Sequence, residues 1–222
     1  VRARDNPFRR ARVEALAFRD PAITPDALIA RWEALGRRGA IVGAHGSGKT
    51  TLLAEIAARL AERGERCAAL RLSADAPSPA RHALTRAIAD AGRGGVLLLD
   101  GFDLLPAFRR AALRVRLPAT QGLIVTAHRP CAWPTLHRTR TSPALLAALT
   151  AELLGPGPSP PHGDLEALHA RCGGDLRQAF FALYARAADD RPVRGPARDP
   201  DATDPFRYDD AADRSATTTR PK

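Results

Sequence analysis

Methionine is absent from the 222 residues, lysine occurs twice and cysteine three times. Each shortage excludes something. Cys67, Cys131 and Cys172 are too few and too scattered for a disulfide framework, which points to a reducing compartment. His128, Cys131 and His137 lie near one another in the chain, but their spacing matches no common zinc module. No apolar run approaches the roughly 20 residues that span a bilayer, and no signal peptide opens the sequence. A cytoplasmic protein without a membrane span is therefore expected. With no methionine and Val1 first, the chain fits an alternative start codon or a trimmed fragment equally well.

Arginine carries nearly all the positive charge, 32 residues against two lysines, and the formal net charge is +10. Abundant Ala, Arg, Gly and Pro suits a GC-rich genome, so arginine richness alone says little. Codon usage does not set the balance of acid and base, however. Residues 1–190 hold 27 basic and 18 acidic side chains, against 7 and 6 in 191–222. The basicity belongs to the part expected to fold, which makes nucleic acid or another polyanion a candidate partner. The length suits one α/β domain with a small appendage.

Of the two lysines, Lys222 is terminal and Lys49 closes Gly43-Ala44-His45-Gly46-Ser47-Gly48-Lys49-Thr50. This is the G-x-x-x-x-G-K-T pattern of a phosphate-binding loop. An ammonium on a flexible stem can fold over such a loop and reach β- and γ-phosphate oxygens, which a wide planar guanidinium does less well. The flanks agree: Ala40-Ile41-Val42 is a short apolar strand, and 51–60 has helical apolar spacing. Gly43, Gly46 and Gly48 are expected to allow dihedrals that turn successive N–H groups inward, Ser47 included, as an anion nest at a helix N-terminus. Thr50 is expected to place its hydroxyl on Mg²⁺, with Thr51 on the first turn near the α-phosphate. Ala44 and His45 occupy the variable positions, His45 facing solvent or sensing phosphate. ATP with Mg²⁺ is the ligand set these residues imply.

Around the loop the chain alternates. Thr24-Pro25-Asp26 reads as N-cap, proline at the first helical position and an acid in the first turn. The helix that follows carries Leu28, Ile29, Trp32 and Leu35 on one face and stops near Gly36. Strands are expected at 67–72, 96–100, 122–126 and 136–141, and helices at 79–91, 105–114, 143–154, 163–172 and 176–188. Such alternation implies a parallel sheet covered on both faces. The expected fold is α/β, a three-layer parallel sheet of P-loop NTPase type with a small C-terminal helical lid. Residues 1–37 form an irregular basic segment, with Asn6-Pro7-Phe8 its most structured-looking part, and a helix. The core covers 38–155, a proline-rich hinge 156–161, the lid 162–189, and a tail with few apolar residues, predicted to be disordered, begins at 190.

Asp100 follows four apolar residues about fifty positions after Lys49. At the carboxyl end of a parallel strand it would face the phosphates and hold the Mg²⁺ shell. Asp103 stands three residues on and also suits the N-cap of a helix starting near Leu104. The strand at 122–126 ends in Thr126-Ala127-His128-Arg129. In 173–179, G-G-D-L-R-Q-A, Asp175 reads as an N-cap with Arg177 in the first turn. A cation is disfavoured there by the helix dipole, so a nearby anion or a local pair with Asp175 is implied.

Taken together these elements resemble the AAA+ ATPases over about residues 37–188, and the lid motif is especially similar to the sensor-2 helix of clamp loaders, their relatives and origin-binding initiators. By that resemblance Lys49 and Thr50 bind phosphate and Mg²⁺, Asp100 is the Walker B acid, Thr126 is sensor 1 with His128 second, and Arg177 is sensor 2. Gly101 departs from the family's usual glutamate. Asp100-Gly101-Phe102-Asp103 instead resembles the D-G-x-D form of STAND signalling ATPases, which makes Asp103 the candidate general base.

An ATPase whose nucleotide state controls a macromolecular partner, nucleic acid or a second copy of the chain, is the leading expectation. Guanine-specific N-K-x-D or T-K-x-D contexts are absent, as is the L-S-G-G-Q helix of ABC ATPases. Two rivals remain: a small-molecule kinase in which Arg138, Arg140 and Arg177 clamp the phosphoryl group, and a binding switch with negligible turnover, which Gly101 favours. Arg109, Arg110, Arg114 and Arg116 suit phosphate backbones, a solvated face or an arginine finger, the last a role open also to Arg129 and Arg138.

Overall fold

Period-two alternation along the central strands sends neighbouring side chains into two separate cores. In the computed structural model, which describes residues 3–72, 80–118, 121–156 and 159–189, strand β3 (Val96–Asp100) shows this most clearly. Val96 and Leu98 join Ile41, Ile124, Trp32 and Ile56 on one face, whereas Leu97 and Leu99 join Val42, Val125 and Leu113 on the other. Five strands, β1 (Arg38–Val42), β2 (Cys67–Arg71), β3, β4 (Gly122–Ala127) and β5 (Thr135–Arg138), pair in parallel in the order β2-β3-β4-β1-β5. Helices α2 (Pro25–Ala34) and α3 (Lys49–Glu62) cover the first face. Helices α4 (Ala80–Ala91) and α5 (Ala107–Arg116) cover the second. Burial on both faces is why β3 and β4 read as unbroken apolar runs.

A third core joins α6 (Pro143–Leu154), α7 (His162–Arg171) and α8 (Leu176–Asp189). Phe8 belongs to it, stacked on Phe180 at 6.4 Å between ring centroids. The N-terminal segment, expected to be irregular, is thus anchored, and carries the short helix α1 (Arg10–Glu14). Asn6 does the anchoring: its side chain accepts from Phe8 N at 2.9 Å and donates to Tyr184 O at 3.0 Å. The tail from 190 and positions 157–158 of the expected hinge lie outside the described residues. Among the described residues no helix is long and apolar enough to cross a membrane.

Local signals set most boundaries. Thr24 caps α2 by accepting from Ala27 N at 3.2 Å, with Pro25 in the first turn. Gly64 follows α3 at φ +80°, where a side chain would be strained. Three expectations need correction. Leu35 lies past the end of α2 and is 39 % exposed, not part of its buried face. The helix placed at 105–114 runs Ala107–Arg116, because Pro106 drives Leu105 into the extended region and helical geometry resumes only after it. The fifth strand stops at Arg138 and does not reach 141.

Trp32 holds α2 to the sheet. It is fully buried, donates from Nε1 to Leu123 O at 3.1 Å and lies under the Arg37 guanidinium at 4.7 Å. Gly122 leaves the room, since a Cβ there would come within 2.5 Å of the indole. Trp32→Ala should cost about 3–5 kcal/mol, chiefly through the cavity it leaves. A urea midpoint close to that of the parent would contradict this packing.

Candidate functional site

The loop leaves β1 at Val42 and enters α3 at Lys49, at the carboxyl edge of the sheet. Gly46 and Gly48 sit at φ +64° and +85°, the left-handed conformation that lets backbone N–H groups turn inward. Gly43 has a different role from the one expected. Its φ is not positive; it is small because a Cβ there would collide with the Thr139 hydroxyl. That hydroxyl pairs at 2.6 Å with Ser47 Oγ, which donates to Ala44 O at 2.8 Å and closes the loop.

Lys49 is 9 % exposed. Its ammonium donates to Gly43 O at 2.8 Å and Ala44 O at 2.6 Å, so it already folds back over the loop. Burial lowers its pKa, opposed by the charges of Asp100, Asp103 and Asp175 and reinforced by Arg177. One cation thus faces three carboxylates and a second cation in one small region.

Asp100 is the hub. Thr50 donates to its Oδ2 at 2.9 Å and Thr126 to its Oδ1 at 2.6 Å, while Gly101 N donates to the Thr126 hydroxyl at 2.8 Å. Three elements therefore bring together residues that are 50 and 26 positions apart. Arg71 adds a third contact to Asp100, Nε to Oδ2 at 3.1 Å, from the position opposite Asp100 on β2. Sequence inspection missed it, because an arginine ending a strand stands out only once β2 is known to adjoin β3. Gly101 sits at φ +88°, which explains why a glutamate does not stand there: any Cβ would be strained.

Asp103 does not cap a helix. It lies in a 3-10 turn, Phe102–Leu104, and its Oδ2 accepts from both the backbone N and the Nδ1 of His128, the latter at 3.1 Å. His128 Nε2 lies 3.2 Å from His45 Nδ1, with the two rings 3.8 Å apart and 35° from coplanar. Burial, then the charges of Lys49 and His45, lower the His128 pKa against the pull of Asp103.

Asp175 caps α8 as expected, Oδ1 accepting from Arg177 N at 2.9 Å and Gln178 N at 3.1 Å. The cap touches the loop: a Cβ on Gly46 would collide with that same Oδ1. Thr141 donates to Gly174 O at 2.7 Å and pins the α7–α8 turn to the chain leaving β5. The Arg177 guanidinium is exposed and, among the described residues, takes no carboxylate partner, Asp175 included. Thr51 and Thr50 begin α3 half-buried, whereas Ala44 and His45 are exposed.

Other predicted residues go elsewhere. Arg114 stacks on Trp133 at 5.8 Å, a ring that Arg38 also covers at 5.8 Å. Arg38 begins β1, so this stack lies at the end of the sheet opposite the loop. Arg109 lies over Phe108, while Arg129, Arg138 and Arg140 are exposed. The side chain of Arg116 lies outside the described residues.

No family model and no curated protein sequence matches this chain. The chemistry available is that of the contacts themselves: a folded-back ammonium and a hydroxyl–carboxylate pair of hard oxygens. Thr50 and Asp100 fit Mg²⁺, which takes one or two protein oxygens and keeps several waters.

Proposed function

We propose that this chain binds ATP and Mg²⁺ at 43–51 and works as an ATPase of AAA+ or STAND-like type. The observation that carries the proposal is the convergence of Lys49, Thr50 and Thr126 on the region around Asp100, from α3, β3 and β4. The position of β4 between β1 and β3 supports it, because that strand order sets Thr126 beside Asp100 as a sensor residue would be. The loop N–H groups and Lys49 hold the phosphates, and Thr50 and Asp100 hold the metal. When bound, Mg²⁺ supplies positive charge against the β- and γ-phosphate oxygens. Arg177 supplies a second cation from α8, and nucleotide state is read out by a partner, nucleic acid or a second copy of the chain, as the basic folded part favours. Three free cysteines suit a cytoplasmic setting. A switch with little turnover is the rival that Gly101 favours; kinase activity would need an acceptor bound near Arg138 and Arg140.

Calorimetry with ATP and ADP, with and without Mg²⁺, tests the proposal, and a protein that binds neither nucleotide would end it. Arg177 gives the finer test. Arg177→Ala should shrink the ATP-over-ADP preference about tenfold or more, since a charge-assisted bond to the extra phosphate contributes about 1.5–3 kcal/mol. ADP affinity should change little. An unaltered preference would reduce 173–179 to an ordinary capped helix.

A further inference from the structure

We infer that His128, held by Asp103, is the general base that deprotonates the attacking water. The inference rests on the ATPase proposal and replaces Asp103 in the role expected for it. Three observations carry it. First, Asp103 Oδ2 is turned onto His128, accepting from its backbone N and its Nδ1, so that oxygen is already engaged in holding the ring. Second, a carboxylate can only accept, so the Nδ1 facing it carries the proton and the lone pair of a neutral ring is on Nε2. Third, that Nε2 faces the glycine loop, because its neighbour at 3.2 Å is His45 of that loop. His45 is exposed, and its contact with Nε2 is one that a water can take over. Asp103 is then a positioning residue, holding the ring and its tautomer.

The charged groups around the ring favour a neutral base. Lys49 from α3 and His45 from the loop both oppose a proton on His128, and burial does so more strongly; Asp103 alone favours it. The imidazole is therefore unprotonated at neutral pH and free to accept. In the step, the water oxygen forms a bond to the γ-phosphorus as the bond from that phosphorus to the β–γ bridging oxygen breaks. The electron pair of the broken bond stays on ADP. The water proton passes to Nε2 and then to solvent, leaving ADP, inorganic phosphate and one proton. A glutamate after Asp100 is not needed, and the φ of +88° at Gly101 would not suit one.

The test uses the full chain and four readouts. In the nucleotide-free protein, NMR titration of the imidazoles should find His128 protonated on Nδ1 when neutral, with a pKa below the usual histidine range. Asp103→Asn should lower that pKa further and loosen the tautomer. His128→Ala should keep ATP affinity within about threefold while single-turnover hydrolysis falls about 100-fold or more, the usual scale of general-base loss. The wild-type rate should rise with pH through the His128 pKa and level off; His128→Ala should lose that limb and recover rate with added imidazole, which a merely structural role would not produce. Should His128→Ala unfold, the Asp103→Asn titration and pH profile still decide. Hydrolysis within threefold of wild type in His128→Ala, or a wild type that binds ATP without cleaving it, overturns the base assignment and leaves nucleotide binding standing. A wild type that binds no ATP overturns both.

Discussion

Lys49→Ala should abolish measurable Mg-ATP binding while the protein stays folded. On the proposed function the loop N–H groups would supply a partial positive charge fixed in space, and the ammonium would move to follow the β- and γ-phosphate oxygens. Its present partners, the Gly43 and Ala44 carbonyls, hold it over the loop at 2.8 and 2.6 Å, and on the proposed function it would exchange those oxygens for phosphate oxygens. Two charge-assisted bonds at about 1.5–3 kcal/mol each amount to about 10²–10⁴ in affinity. Stability should suffer far less, because Lys49 is 9 % exposed and its removal also relieves the burial of a charge. Calorimetry and thermal melting on the same sample separate the two effects. Unchanged ATP affinity in the variant would remove the loop as the nucleotide site.

Asp100→Asn should weaken Mg²⁺-dependent ATP binding about 10- to 100-fold and leave metal-free binding nearly as it was. The carboxylate accepts from Thr50 and Arg71 on Oδ2 and from Thr126 on Oδ1. An amide keeps one acceptor oxygen and turns an NH₂ group toward the other set of donors, so one side of the hub is lost whichever way it rotates. The negative charge that would hold the metal's water shell disappears as well. ATP titrations with and without excess chelator give the comparison. An equal effect in both would mean that Asp100 supports the loop and not a metal.

Much of this site is legible in the chain because its parts are local. The loop motif, the apolar runs that become β3 and β4, the cap Thr24 with Pro25 and the cap Asp175 are written within a few residues of where they act. Short-range rules of backbone conformation and burial suffice for them. Where Pro106 interrupts the chain, local reading fails by two residues, since the restriction on Leu105 competes with the helical pattern that continues past it.

Long-range contacts follow a different logic. Thr126 could be named as a polar strand end, but its hydrogen bond to Asp100 exists because β4 inserts between β1 and β3, an order that no local pattern states. Arg71 joins the hub by register across two strands, and Asp103 leaves its expected capping role because His128, 25 positions later, offers it two donors. Phe8 likewise finds its core among α6, α7 and α8, more than 130 residues away. The sequence by itself determined the alternation of strands and helices and the glycine turns of the loop, for their periodicity and turn requirements are satisfied within single segments. Only the tertiary structure decided which carboxylate meets which hydroxyl, guanidinium or imidazole, because those pairings depend on strand order and register, and these are settled by the packing of whole faces against one another.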